Sequence, residues 1–286
     1  MMVMLTRDRI DWQNAQNIGS GVFGNVLVTR AYQVRSDEEL SFVLLKELTN
    51  KDENVHALMR EENELYSKTE HLNVFKFLTL IRDSEPVTAV YEYSPCGNLK
   101  SYLLLSRGHG EYEEYPAPLD AKQILTIAYQ IAQGMEHISD NRFVHKDLAA
   151  RNVLLYPGLH AKIGSLSLQN DAFLNEYYMY RNLVLPLRWM PAEALLDDDY
   201  SMKSDVWAYG VFFWELYAQG ELPYQTYSNA QLIEALKADQ LDRLNPPPNV
   251  PDMVLALMDQ CWATDPRERP TFTHVRDIVG QLNYEL

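Results

Sequence analysis

The sequence predicts an α+β chain of two lobes: a small antiparallel-sheet lobe with one helix, then a larger and mainly helical lobe. Three observations carry this. Up to Tyr93 the apolar residues alternate or run in short stretches, the period of strands. From Ile124 they recur at helical spacing. Between the two regimes Ser94-Pro95-Cys96-Gly97 breaks both periods. The expected organisation is a first lobe over 1–93, a hinge over 94–98 and a second lobe over 99–286, together one domain.

Residues 10–35 and 40–48 read as strands around a glycine-rich turn. Residues 53–68 read as a helix with Val55, Leu58, Met59, Leu65 and Tyr66 on one stripe. Val74–Ile81 and Val87–Tyr93 read as two more strands. Gly108–Pro118, with its glutamates, prolines and tyrosines, reads as an exposed loop, and so does Pro246-Pro247-Pro248. Ile124, Leu125, Ile127, Ala128, Ile131, Ala132, Met135 and Ile138 mark a long helix. Ser204-Asp205 reads as the cap of a very apolar, central helix through Val206, Trp207, Val211, Phe212, Trp214 and Leu216.

Composition narrows the function. With 286 residues, 47% of them apolar, the chain has ample material for a core. Forty acidic against 25 basic residues give a formal charge of −15, which argues against nucleic acid or an anionic membrane surface as a partner. Cys96 and Cys261 offer neither a disulfide framework nor a zinc spacing, which fits a reducing compartment. No apolar run reaches bilayer length, and Met1–Leu5 is too short for a signal sequence.

The motifs supply the chemistry. Gly19, Gly21 and Gly24, followed by Val26, form a glycine-rich loop in which backbone amides can approach phosphates. Alone, this pattern fits a hairpin turn as well. Its successors raise it. Val43-Leu44-Leu45-Lys46 suits a strand carrying a phosphate-binding lysine, and Glu62, a charge on the helix stripe, needs a partner that Lys46 can be. His145-Lys146-Asp147-Leu148-Ala149-Ala150-Arg151-Asn152 is the catalytic-loop pattern of a protein kinase in its tyrosine-kinase form. Asp147 stands at the place of the base and Asn152 at that of the second magnesium ligand, while His145 suits loop packing. Lys146 replaces the more usual arginine and cannot make its bidentate grip.

Thirteen residues after Asn152 the pattern fails. Ser165-Leu166-Ser167 stands where a working kinase carries Asp-Phe-Gly. A neutral hydroxyl binds a hard dication far more weakly than a carboxylate does. Leu44 stands where alanine usually roofs the adenine pocket, and overpacking of that kind costs about 1–3 kcal/mol. Tyr91 at the gatekeeper place and Leu154 at the floor narrow the slot further. ATP and magnesium are therefore expected to bind very weakly or not at all, with no metal site. Downstream, Glu193 is expected to pair structurally with Arg269, and Tyr177, Tyr178 and Tyr180 sit where tyrosine kinases carry phosphosites.

From Ile10 to Leu282 the chain resembles a receptor tyrosine kinase domain. Asn141–Asp147, Ser165-Leu166-Ser167 and Asn175-Glu176-Tyr177-Tyr178 resemble most closely the off-track and inactive tyrosine-protein kinase 7 family. The Ror and muscle-specific kinase families share the His-Lys-Asp form and are somewhat less similar. The resemblance implies the cytoplasmic domain of a single-pass plasma-membrane receptor with external immunoglobulin domains. It also implies partners of the Wnt/Frizzled/Dishevelled, planar-polarity or plexin type, with an active kinase acting in trans. Ser167 departs from these relatives, which tend to keep glycine there.

The expected function is an inactive tyrosine-kinase-like scaffold. The rival is a weak tyrosine kinase using Asp147 and one metal on Asn152. Losing about 4 kcal/mol of metal stabilisation slows transfer on the order of a thousandfold, which favours the scaffold.

Overall fold

The structure is a computed structural model that describes residues 5–35, 38–108, 115–169 and 173–285. Five strands form the sheet of the first lobe: β1 (Gln16–Ser20), β2 (Asn25–Arg35), β3 (Glu38–Leu48), β4 (Phe77–Ile81) and β5 (Val87–Glu92). Their order is β1-β2-β3-β5-β4, and every pairing is antiparallel. Alternation sets the faces. Val43 and Leu45 of β3 point to one side with Ala31, Ile81 and Val90, whereas Leu44 points to the other and joins the main core with Val26, Ala89 and Tyr91. The expected first strand over 10–35 is divided: two short 3-10 turns at Arg7–Arg9 and Trp12–Asn14 precede β1, and Leu5, Ile10 and Trp12 cover the outer face of the sheet. The strand expected from Val74 begins at Phe77, because Val74 and Phe75 instead bridge to Ile163 in the second lobe.

The one α-helix among the described residues of this lobe, α1 (Glu53–Lys68), is capped by Asp52, whose side chain accepts from the Asn54 N–H. Leu58 departs from the expected stripe and is 44% exposed. At this end α1 reaches only the small cluster around Phe23, and Val55 and Met59 fill it.

The second lobe is built on α3 (Ala121–Asp140) and α5 (Met202–Tyr217), both largely buried. Around them pack α2 (Leu99–Ser106), α4 (Ala192–Asp197), α6 (Asn229–Lys237), α7 (Asp252–Cys261) and α8 (Phe272–Glu285), with α8 lying along α3. The cap of α5 is Ser201, not Ser204-Asp205. Ser204 is the reciprocal member of the capping box, and this frees the Asp205 carboxylate for another task. Two small hairpins complete the lobe: β6 (Val153–Tyr156) with β7 (His160–Ile163), and β8 (Tyr178–Tyr180) with β9 (Leu183–Leu185). Of the loop expected over 108–118, residues 109–114 lie outside the described residues. No helix among the described residues is long and apolar enough to cross a membrane.

Candidate functional site

The cleft lies where β1–β3 meet the β6–β7 hairpin. Register fixes its first cation. Lys46 on β3 lies opposite Ala89 of β5, on the face turned towards α1. Its ammonium, 1% exposed, donates to Glu62 Oε1 of α1 and stands 3.5 Å from Ser165 Oγ. The Tyr91 ring lies 4.9 Å from it and the Phe23 ring 5.8 Å. Burial lowers the Lys46 pKa, and the Glu62 carboxylate opposes that shift. Tyr91 turns its hydroxyl away towards α1, donating to Asn63 Oδ1 at 2.7 Å and to Glu62 Oε1 at 3.1 Å. Its ring stacks on Phe75 at 4.6 Å. Leu44, Tyr91 and Leu154 are all fully buried in the core that joins the lobes.

The glycine-rich loop is folded down onto the segment after β7. A Cβ on Gly21 would lie 2.0 Å from the Ser167 carbonyl oxygen and 2.1 Å from Gln169 Oε1, so only glycine permits this approach. Gln169 Oε1 also accepts the Val22 N–H at 3.2 Å. Gly24 has φ +146, open to glycine and strained for other residues. At the loop tip Phe23 is tucked beneath, against Val55 and Met59. The loop thus packs directly on the Ser167 backbone and the Gln169 side chain. Ser167 has φ +56, a left-handed backbone that glycine adopts more readily than serine. Leu166 is 1% exposed and fills a core position, while its N–H donates to Asn152 Oδ1 at 3.0 Å.

Asp205 orders the catalytic-type loop. Its carboxylate accepts the His145 N–H at 2.7 Å and the Lys146 N–H at 2.9 Å, which holds Lys146 at φ +68. Burial raises the Asp205 pKa against those bonds. His145 packs the loop: one ring nitrogen donates to the Gly164 carbonyl at 2.9 Å and the other accepts the Asp147 N–H at 3.2 Å. Asn152 Nδ2 donates to the Asp147 carbonyl at 2.8 Å, so both ends of its amide are engaged.

Both oxygens of Asp147 are taken as well. Oδ1 accepts from Arg151, and Oδ2 accepts from the Tyr177 hydroxyl at 2.6 Å. Arg151 Nε donates back to Tyr177 at 2.7 Å. Tyr177 is 8% exposed, and burial pushes its pKa well up. In this arrangement Tyr177 is no surface residue, and Arg151, 1% exposed, is not available to a phosphate arriving from solvent. Tyr178 and Tyr180 are half-buried on β8. Arg181 donates to the Leu196 carbonyl. Glu193 Oε1 and Oε2 accept from Arg269 at 2.5 and 3.2 Å, tying α4 to the turn before α8.

The donor set is poorly matched to magnesium. Ser165 offers a neutral hydroxyl beside an ammonium, and Asn152 Oδ1 already holds an N–H. Among the described residues no three His, Cys, Asp or Glu side chains gather as a metal site. Several residues of the cleft escaped the sequence reading: Lys100, Glu176, Glu215, Phe23 and Gln169. Glu215 had a visible signal, a carboxylate inside an otherwise apolar helix, which requires a buried partner.

Fold and cleft together define a protein-kinase domain. The chain belongs to the protein tyrosine and serine/threonine kinase family, whose model matches residues 12–279. It is 39% identical over 272 residues to Inactive tyrosine-protein kinase 7 of Gallus gallus, a match covering 95% of this chain and 26% of that protein. It is 35% identical over 274 residues to the tyrosine-protein kinase transmembrane receptor Ror of Drosophila melanogaster, covering 95% of this chain and 38% of the receptor. The High affinity nerve growth factor receptor of Mus musculus is 33% identical over 275 residues, covering 93% of this chain and 33% of that receptor. The chain thus spans about a quarter to two fifths of the length of these relatives.

Proposed function

We propose that this chain is a catalytically inactive tyrosine-kinase-like domain that works as a signalling scaffold on the cytoplasmic side of a single-pass receptor. The observation that carries the reading is Ser165. It faces Lys46 at 3.5 Å with a hydroxyl in place of the carboxylate that would hold magnesium. The Gly21 contact with Ser167 and the fully buried Leu44 support the same reading, since they crowd the spaces for phosphate and adenine. Partners of the Wnt/Frizzled/Dishevelled or plexin type, and an active kinase acting on Tyr177, Tyr178 or Tyr180 in trans, follow from resemblance. The test is thermal unfolding with millimolar ATP, with and without magnesium. No shift is expected in either case, and a saturable rise of several degrees that needs magnesium would overturn the reading.

One observation favours the rival, a weak tyrosine kinase using Asp147 and a metal on Asn152. Tyr177 sits on Asp147 as a plug, and a plug restrains a domain that can be unplugged. The two readings part when the plug is removed and transfer is measured.

A further inference from the structure

Two cavities meet at Tyr217, the last residue of α5, and no residue of the cleft lines either of them. The larger measures about 890 Å³ and lies between the turn after α5 and the loop that joins α6 to α7. The smaller, about 210 Å³, lies between α2, the start of α3 and the end of α5. Tyr217, Gln219, Pro248 and Asn249 line both, so the two are halves of one depression. The halves differ in chemistry. The smaller is walled by Leu103, Leu119, Ala121, Ile124 and Leu216 and carries no charged side chain. The larger carries three: Glu221, Asp242 and Arg243. Arg243 is spent on Asp259 of α7. Asp242 Oδ2 accepts from the Tyr227 hydroxyl at 2.7 Å. The neighbouring Arg107 donates to the Ala218 and Gln219 carbonyls. Among the described residues neither Glu221 nor Asp242 has a basic partner. Tyr217 stands between the halves. Its hydroxyl is buried with no hydrogen-bond partner among the described residues, and burial pushes its pKa up to about 12. No polar contact anchors the tip of this ring.

A charge-free apolar cavity that opens beside two carboxylates lacking a basic partner complements a cation with an apolar arm. The formal charge of −15 acts in the same sense, drawing cations and repelling anions. The larger cavity falls within the roughly 300–1,000 Å³ of small-molecule sites, which points to a small ligand instead of a protein segment. We propose that this depression binds a small organic amine, whose aryl or short alkyl arm enters the smaller cavity while its ammonium meets Glu221 and Asp242 in the larger. Tyr217 is the gate between the halves: a ring without a hydrogen bond at its tip turns aside at little cost. The bound amine ties α2 and α3 to the loop between α6 and α7. The inference is independent of the reading of the cleft, and no bond forms or breaks.

The probe is 4-phenylbutylamine, titrated into the wild-type domain by calorimetry beside 4-phenylbutan-1-ol, which keeps the arm and lacks the charge. The amine is expected to bind saturably and about fivefold or more tightly than the alcohol, the worth of exposed ion pairs. Added salt should narrow that gap. The Glu221→Gln/Asp242→Asn variant changes two exposed residues and is expected to erase the preference for the amine. Ala121→Trp places an indole in the smaller cavity from an exposed position at the start of α3, and both ligands should then bind about tenfold or more weakly, the cost of leaving the arm in water. Thermal unfolding checks the folding of both variants. A further measurement needs no substitution: the amine should slow amide hydrogen exchange in wild type across α2 and residues 241–250. No binding of the amine, equal binding of amine and alcohol, a preference that survives the charge variant, or slowed exchange confined to the cleft would overturn the proposal.

Discussion

Leu44→Ala separates the two blocks proposed for the cleft. Leu44 is fully buried and belongs to the core that takes in Val26, Tyr91 and Leu154. Truncating a buried leucine to alanine costs about 2–5 kcal/mol, depending on how far the surroundings collapse. A loss of about 3 kcal/mol lowers Tm by roughly 6–12 °C in a domain of this size. The same change opens room for an adenine ring beneath β3, but it leaves Gly21 against Ser167 and leaves Ser165 in place. Adenosine should therefore gain more than ATP. If adenosine binds the variant with a Kd about a tenth of its concentration, linkage returns about 1.4 kcal/mol, or roughly 3–6 °C of the lost Tm. Thermal scans of wild type and variant, with adenosine and with ATP in the presence or absence of magnesium, decide the matter. An ATP shift larger than the adenosine shift would refute the argument that the phosphate space is closed by backbone packing.

Other outcomes test separate parts of the structure. Glu193→Gln leaves the buried Arg269 guanidinium without its carboxylate, so urea unfolding should show a loss of about 3–5 kcal/mol, and a loss below about 1 would count against the pair. His71 accepts the Asn73 N–H at Nδ1 and stacks on His137 at 5.0 Å; burial first, and His137 second, lower its pKa from the ordinary 6.5, while Glu136 opposes them. Its contribution to stability is whole above pH 6.5 and is lost as the pH falls through the lowered folded value, so Tm should decline on acidification and His71→Asn should flatten that decline. An identical pH slope in the variant would contradict it.

The sequence made some of this legible, and physics explains the remainder. Lys46, Glu62, Asp147 and Asn152 stand in a motif order whose spacing tracks β3, α1 and the loop before β6, so their convergence on one cleft could be read along the chain. The side of α1 that faces inward could not be read at its first turns. Leu58 and Met59 are adjacent and point in directions about 100° apart, and only the position of Phe23 selects Met59. Tyr177 reads the same whether exposed or buried. Its place depends on how residues 173–178 fold back, which Glu176 fixes through Lys100, a residue far away in sequence. The glycine-rich loop likewise announced permissive backbone, but not that Gly21 would rest on Ser167.

The central claim is that no phosphoryl transfer occurs even when the cleft is open. Tyr177→Phe removes the hydroxyl that occupies Asp147 Oδ2 and leaves Ser165 and Asn152 unchanged. The purified variant is incubated with magnesium ATP and a tyrosine-containing peptide, beside the same variant carrying Asp147→Asn. The account predicts the same background incorporation of phosphate in both, and a rate that appears with Tyr177→Phe and vanishes with Asp147→Asn would contradict it.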